Sequence, residues 1–309
     1  MALLFRSSVD SEARWKPQLN QLMPGLEVRV WPGVGDPADI GYALVWRPEP
    51  GLLASLPNLK LILSLGAGVD HILCDPHLPH HVPIVRLVDP YMTAAMSEYV
   101  VLQVLRLHRH DLDYRAQQSE GIWRELEQKN ATERSVGILG FGALGQDAGR
   151  KLKGLGFDVA LWSRSEKRAD GLLGYAGGAG LEALLRRSEI VVCLLPLTAE
   201  TEGILSRRTF ARLPRGAVVV NAARGRHLVE QDLLAALASG HVSAAVLDVF
   251  RDEPLPSGHP FWRHPHIVVT PHIAAATNPS TAAPIILDTI RRFEEGRPLL
   301  NRVDPARGY

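Results

Sequence analysis

Four polar residues stand where apolar runs end: Arg224 after Ala217–Asn221, Asp248 after Ser243–Leu247, Glu253 a few residues on, and His272 after Ile267–Thr270. Together they could reduce a 2-keto acid. That reaction needs hydride on the carbonyl carbon, a proton for the developing alkoxide and an anchor for the carboxylate. His272, aimed by the stiff Pro271 before it, suits the proton donor. Glu253 would hydrogen-bond the other ring nitrogen, orienting the imidazole and balancing its positive charge. Arg224 lies in the turn Asn221-Ala222-Ala223-Arg224-Gly225, where a planar guanidinium suits a carboxylate or a carbonyl oxygen. Singly, each has a plainer reading: a loop-closing salt bridge, a solvated loop acid, a satisfied structural histidine. Their recurrence at strand ends, where open α/β sheets bind ligands, favours chemistry.

A hydride source is written into Gly140-Phe141-Gly142-Ala143-Leu144-Gly145, which follows the apolar run Val136–Leu139 and precedes a helix-compatible stretch. Gly140 permits the tight turn, Gly142 lets the backbone approach a pyrophosphate, and Gly145 allows close helix–strand packing. The helix N-terminus offers amide donors and a positive dipole end. Folds that choose NADH place an acid about 20 residues further on, to accept from the ribose 2′-hydroxyl. Here the tip reads Leu161-Trp162-Ser163-Arg164-Ser165, with Glu166 only later in the loop. Arg164 supplies a fork for a 2′-phosphate, Ser163 and Ser165 hydroxyls, and Lys167 or Arg168 further charge, so NADPH is expected over NADH. A merely solvated basic loop is the alternative.

The elements that must position these groups alternate between short apolar strands and helical patterns, which predicts parallel α/β architecture. Strands are expected at Leu3–Arg6, Glu27–Trp31, Ala43–Trp46, Lys60–Ser64 and Ile84–Leu87. A second series runs Val136–Leu139, Asp158–Trp162, Ile190–Leu194, Ala217–Asn221, Ser243–Leu247 and Ile267–Thr270. Helices are expected at Ser11–Leu22, at Met96–Gln118 in one piece, and at Thr281–Glu295. The last should return to the first domain, since one short segment cannot form its own core. A ligand is then expected in the cleft between domains.

At 309 residues and 46% hydrophobic, the chain can bury two domains' worth of core. A formal charge of +1 argues against a nucleic-acid surface. No run approaches the ~20 apolar residues needed to span a bilayer, and Met1–Phe5 is too short for a secretory signal, so a cytoplasmic protein is expected. Cys74 and Cys193 read as two buried, unbridged thiols. His77, His80 and His81, spaced by prolines, suit a surface loop better than a metal site.

The chain resembles the D-isomer-specific 2-hydroxyacid dehydrogenases over essentially its full length. The matching segments are Ala43-Leu44-Val45-Trp46, Leu65-Gly66-Ala67-Gly68-Val69-Asp70, Trp162-Ser163-Arg164, Leu195-Pro196, the Asn221–Gly225 turn, Glu253-Pro254-Leu255-Pro256 and the closing Val303–Tyr309. The resemblance implies a Rossmann dinucleotide-binding domain, residues 98–282, and a flavodoxin-like α/β substrate domain, residues 1–97 with 283–309. It implies Arg224, Glu253 and His272 as the catalytic trio, with Arg224 and His272 also touching substrate. Cofactor contacts would come from Gly140, Gly142, Ala143, Leu144, Gly145, Ser163, Arg164, Ser165, Lys167, Leu195, Pro196, Ala222 and Ala223, with Asp248 on the nicotinamide carboxamide. Ala67 and Gly68 would hold the substrate carboxylate through backbone amides, a nest that successive small residues can form. Trp46 resembles a substrate-pocket residue, with core packing nearly as good a reading. The implied reaction is NADPH-dependent reduction of glyoxylate to glycolate and of hydroxypyruvate to glycerate, in a homodimer whose contacts include Met96–Gln118 and Gly121-Ile122-Trp123. Pyruvate or 2-ketogluconate as substrate stays open. So does a dinucleotide-sensing corepressor role, since corepressors of the C-terminal binding protein type keep the same trio. After His272 the chain departs from many relatives with Ile273-Ala274-Ala275-Ala276, which bears on substrate size.

Overall fold

The computed structural model describes residues 1–309, which form two compact units. The first comprises Met1–Met92 and Thr277–Tyr309, the second Thr93–Ala276. The changeovers therefore fall at 92/93 and 276/277, against 97/98 and 282/283 from sequence.

The first unit holds β1 (Ala2–Ser7), α1 (Glu12–Leu22), β2 (Glu27–Val30), β3 (Ile40–Trp46), β4 (Leu61–Ser64), α2 (Asp70–Leu73) and β5 (Ile84–Val85). Helix α3 (Pro90–His108) contains the first changeover. The strands pair in parallel in the order β2-β1-β3-β4-β5, the flavodoxin-like arrangement. Strands β3 and β4 are buried almost throughout, as expected of central strands in a parallel sheet, and they read as unbroken apolar runs.

In the second unit come α4 (Asp111–Glu120), β6 (Ser135–Leu139), α5 (Ala143–Gly154), β7 (Asp158–Ser163), β8 (Leu173–Ala176), α6 (Gly177–Arg187), β9 (Ile190–Cys193), α7 (Arg207–Phe210), β10 (Ala217–Asn221), α8 (Glu230–Ala238), β11 (Val242–Leu247) and β12 (Ile267–Val269). All seven strands are parallel, in the order β12-β11-β10-β9-β6-β7-β8. The order reverses at β6/β9, and a crevice opens at the carboxyl ends of strands around such a point. One apolar cluster centred on Leu139, Val191, Val219 and Leu247 fills one face, and another with Ile138, Val192, Val220 and Val246 fills the other. The final helix, α9 (Pro279–Glu294), packs beside α1 in the first unit, and Arg291 reaches the Leu22 carbonyl.

Three features differ from the sequence reading. The expected helix Met96–Gln118 starts earlier, at Pro90, where the Asp89 carboxylate accepts from the Tyr91 amide, and it breaks after His108. His110 adopts a left-handed conformation at φ 58°, and Asp111 begins α4 while pairing with Arg106 and Arg115. These are side-chain contacts at a position with no Pro or Gly to announce them. The edge strand β8 had no apolar run to betray it: Leu173 and Gly174 are exposed. Finally, Cys74 is exposed at the end of α2, not buried. Cys193 is buried in β9, and burial pushes its thiol up to about 12.

No helix is long and apolar enough to cross a membrane. His77, His80 and His81 lie exposed, and no group of three or more His, Cys, Asp or Glu side chains could hold a metal ion.

Candidate active site

The chemistry-bearing residues of the second unit gather at the carboxyl ends of β6, β7, β9, β10, β11 and β12, and each is placed by a local backbone requirement. At the end of β6, Gly140 has φ 127°, a conformation side chains rarely adopt, and a Cβ there would stand 2.8 Å from the Leu194 carbonyl oxygen. At Gly145 an added Cβ would overlap the Gly140 carbonyl, so the first turn of α5 presses directly on the loop. Gly142 is the N-cap of α5, has no side-chain cap, and has open space where a Cβ would point. Uncapped amides, a positive dipole end and free volume are what a pyrophosphate requires, so the residues present fit a dinucleotide.

The tip of β7 is different in character. The Ser163 hydroxyl donates to the Ser165 carbonyl at 2.8 Å, which fixes the turn. Arg164 extends outward and its Nη1 lies 2.7 Å from Glu200 Oε2, with both side chains largely exposed (45% and 64%). Lys167 is exposed, and Arg168 pairs with Glu166 in solvent. The basic loop is thus in place, already facing one acid.

Beyond β10 the turn is held from within. Asn221 is fully buried; its amide donates to the Arg224 carbonyl at 3.0 Å and its oxygen accepts from the Ala223 amide at 3.2 Å. His227, also fully buried, accepts the Arg224 amide on Nδ1 at 3.2 Å. That nitrogen therefore carries no proton, so Nε2–H donates to the Pro196 carbonyl at 3.2 Å. His227 thereby ties the Arg224 turn to the Leu195-Pro196 segment. Gly225 lies so tightly against the Phe250 carbonyl that no Cβ fits. The Arg224 guanidinium donates from Nη1 to the Ala223 carbonyl at 2.8 Å. Ala222 and Ala223 are buried beside it.

His272 and Glu253 meet directly. The ring Nδ1 lies 2.9 Å from Glu253 Oε2, and Glu253 Oε1 accepts the Phe250 amide at 3.0 Å. An ionised carboxylate only accepts, so Nδ1–H donates and Nε2 is the nitrogen that faces a reacting group. Glu253 is 14% exposed and His272 34%, so the acid is the shielded member. His272 has φ 55°, a left-handed backbone that costs a non-glycine residue on the order of 1–2 kcal/mol. Such strain persists only where its surroundings over-determine it.

Those surroundings are Asp248. It is 1% exposed; Oδ1 accepts from the Thr270 hydroxyl at 2.6 Å and the Ile273 amide at 2.9 Å, and Oδ2 from the Ala274 amide at 2.9 Å. Its own carbonyl accepts the His272 amide at 2.8 Å. Of roughly four lone-pair directions on the carboxylate, three are taken within the protein. Asp248, which the sequence places on the nicotinamide carboxamide, makes these contacts with the turn that carries His272, because β11 and β12 are neighbours and their ends meet. Thr270, Asn221 and His227 carried no signal of their own in the sequence, since an isolated Thr, Asn or His near a strand end is commonplace.

In the first unit, the Gly66-Ala67-Gly68 turn follows β4. The Ser64 hydroxyl accepts the Gly66 amide at 3.3 Å and donates to the Gly68 carbonyl at 3.1 Å. The Trp46 ring crowds the place of a Gly66 Cβ, 2.6 Å from its ideal position, and packs against the His71 ring at a tilt of 56°, with ring centroids 4.2 Å apart. Trp46 thus packs on the turn that holds Ala67 and Gly68.

A family model described as D-isomer specific 2-hydroxyacid dehydrogenase, NAD binding domain, matches residues 101–274. Over 315 aligned residues, the whole of both chains, this protein is 43% identical to a glyoxylate/hydroxypyruvate reductase A of Yersinia enterocolitica. It is 44% identical to one of Serratia proteamaculans, again over both full chains. A crystal structure of a D-isomer specific 2-hydroxyacid dehydrogenase from Xanthobacter autotrophicus in complex with NADPH and MES superposes with a TM-score of 0.95 at 47% identity, covering 100% of this chain and 99% of that one. An NADPH-dependent glyoxylate/hydroxypyruvate reductase from Sinorhizobium meliloti, in complex with NADP and sulfate, gives 0.94 at 41% identity with the same coverage. The chain belongs to the D-isomer specific 2-hydroxyacid dehydrogenases.

Proposed function

We propose that this protein is an NADPH-dependent reductase of small 2-keto acids, acting on glyoxylate and hydroxypyruvate. The observation that carries the reading is the His272–Glu253 pair, 2.9 Å apart at the strand ends of a sheet whose glycine loop fits a dinucleotide. The Thr93–Ala276 unit is read as the dinucleotide-binding domain and the other as the substrate domain. Bound NADPH supplies hydride to the carbonyl carbon. His272 gives its Nε2 proton to the developing alkoxide, with Glu253 holding Nδ1 and balancing the ring's charge. Arg224 polarises the carbonyl oxygen or grips the carboxylate with its fork, and the Ala67 and Gly68 amides take the remaining carboxylate oxygen. Arg164, with Ser163, Ser165 and Lys167, receives the 2′-phosphate. The names of the full-length relatives and the dinucleotides in the superposed structures support the substrate and the cofactor alike.

We read the protein as a cytoplasmic homodimer. Leu102, Tyr114, Ile122 and Trp123 are 52%, 41%, 44% and 98% exposed, and all lie in the 96–123 stretch that the family resemblance puts at the subunit contact. Sedimentation of a stable monomer would remove that part of the reading. The decisive assay is initial rates with glyoxylate, hydroxypyruvate, pyruvate and 2-ketogluconate, each with NADPH and NADH. The highest kcat/KM is expected for glyoxylate or hydroxypyruvate with NADPH. Tight NADPH binding with no turnover on any of them would overturn the reading in favour of a dinucleotide sensor.

A further inference from the structure

We propose that Tyr99 and Thr270 are positioning residues for His272, acting through Asp248. The proposal rests on the reading of His272 as proton donor and adds two residues that contact no reacting atom. Four donors converge on Asp248 from the segment around the imidazole: the Thr270 hydroxyl and the Ile273 and Ala274 amides on its carboxylate, the His272 amide on its carbonyl. The shortest, at 2.6 Å, is the Thr270 hydroxyl. A hydroxyl has one proton, and an ionised carboxylate cannot donate one back. Thr270 Oγ1 therefore receives its other contact, from the Tyr99 hydroxyl 2.7 Å away on α3, as an acceptor. The direction of the chain is settled: phenol to hydroxyl to carboxylate.

Tyr99 is 7% exposed, and burial pushes its hydroxyl well above the ordinary phenol range, so it remains a donor throughout the pH range in which the enzyme would work. Bonds linked in this way polarise and strengthen one another away from water. The left-handed backbone of His272 needs such an anchor, because a carboxylate free to rotate would release Ile273 and Ala274 and with them the aim of the ring. Loss of aim lowers turnover without weakening binding, since small misplacements of a catalytic group are costly.

The test compares Thr270→Val, Thr270→Ser and Tyr99→Phe. Thr270→Val is expected to lower kcat about ten-fold, with the keto-acid KM and NADPH Kd within about two-fold of the parent. Thr270→Ser keeps the hydroxyl and should recover most of the loss, while Tyr99→Phe should cost about three-fold. Cofactor-free protein gives an independent readout: the downfield Nδ1–H proton resonance that His272 owes to Glu253, assigned by its disappearance in His272→Ala. It should broaden in Thr270→Val and return in Thr270→Ser. Parental kcat with an unchanged resonance in Thr270→Val overturns the proposal. So does a fall in kcat that Thr270→Ser fails to restore, or an effect confined to KM. A parent without turnover on any keto acid defeats the proposed function, whereas the His272 resonance still decides whether Thr270 positions the ring.

Discussion

The end of β12 and the tip of β7 belong to one sheet, yet they are built on opposite principles. Around His272, every polar group that holds the ring is buried or half-buried, and Asp248 and Glu253 each accept backbone amides. Around Arg164 the charges stand in solvent and meet Glu200 and Glu166 across the surface. A buried carboxylate with its donors satisfied admits one arrangement, because an unmatched partner is expensive. Exposed ion pairs are worth about 0–1 kcal/mol and are screened by salt. On the proposed reading, proton delivery would depend on geometry, whereas the choice between the two dinucleotides would depend on a balance of solvated charge.

The largest effect should come from His272→Ala. With the proposed proton donor removed, kcat is expected to fall ~10²–10⁴-fold while NADPH still binds. A kcat within a few-fold of the parent would make His272 structural and dissolve the contrast. Arg224→Lys comes next. It keeps the charge but loses the fork, so kcat/KM should drop roughly ten- to a hundred-fold, with NADPH affinity little changed. If kcat/KM is unaltered, the carboxylate is held by the Ala67–Gly68 turn alone.

The exposed loop should answer more softly. Arg164→Asp is expected to lower kcat/KM for NADPH about ten-fold more than for NADH, and the parent's NADPH affinity should weaken as salt rises. A parent that already favours NADH defeats this account of the loop. Smallest of all is Glu200→Gln. It frees Arg164 from its competing acid, so NADPH should bind roughly two- to five-fold tighter at low salt and no tighter at high salt. Weaker binding would instead mean that Glu200 holds Arg164 ready for the phosphate.

The same contrast explains what could be read without a structure. Strands such as Ile190–Cys193 and Ala217–Asn221 announce themselves because parallel strands covered on both faces must be apolar throughout. The edge strand Leu173–Ala176 is half-solvated and carries Gly174, so nothing in its composition separates it from a loop. The break at His110 is equally silent, being made by charge pairs and a left-handed backbone in a segment that lacks a helix breaker. At the site, Arg224, Glu253 and His272 stood out as charged or titratable groups at strand ends. Tyr99 and Thr270 are 171 positions apart, and their bond exists only once α3 lies beside β12. Asn221 and His227 matter through backbone atoms, which no sequence pattern displays.

The absence of a side chain at Gly225 reaches further than its turn. Because the peptide there rests on the Phe250 carbonyl, the segment bearing the guanidinium and the segment leading to Glu253 share one footing. Neither can be re-aimed alone. A side chain added at residue 225 would push the Phe250 peptide away and tilt the acid–imidazole pair along with the guanidinium, so one methyl group there would disturb both at once.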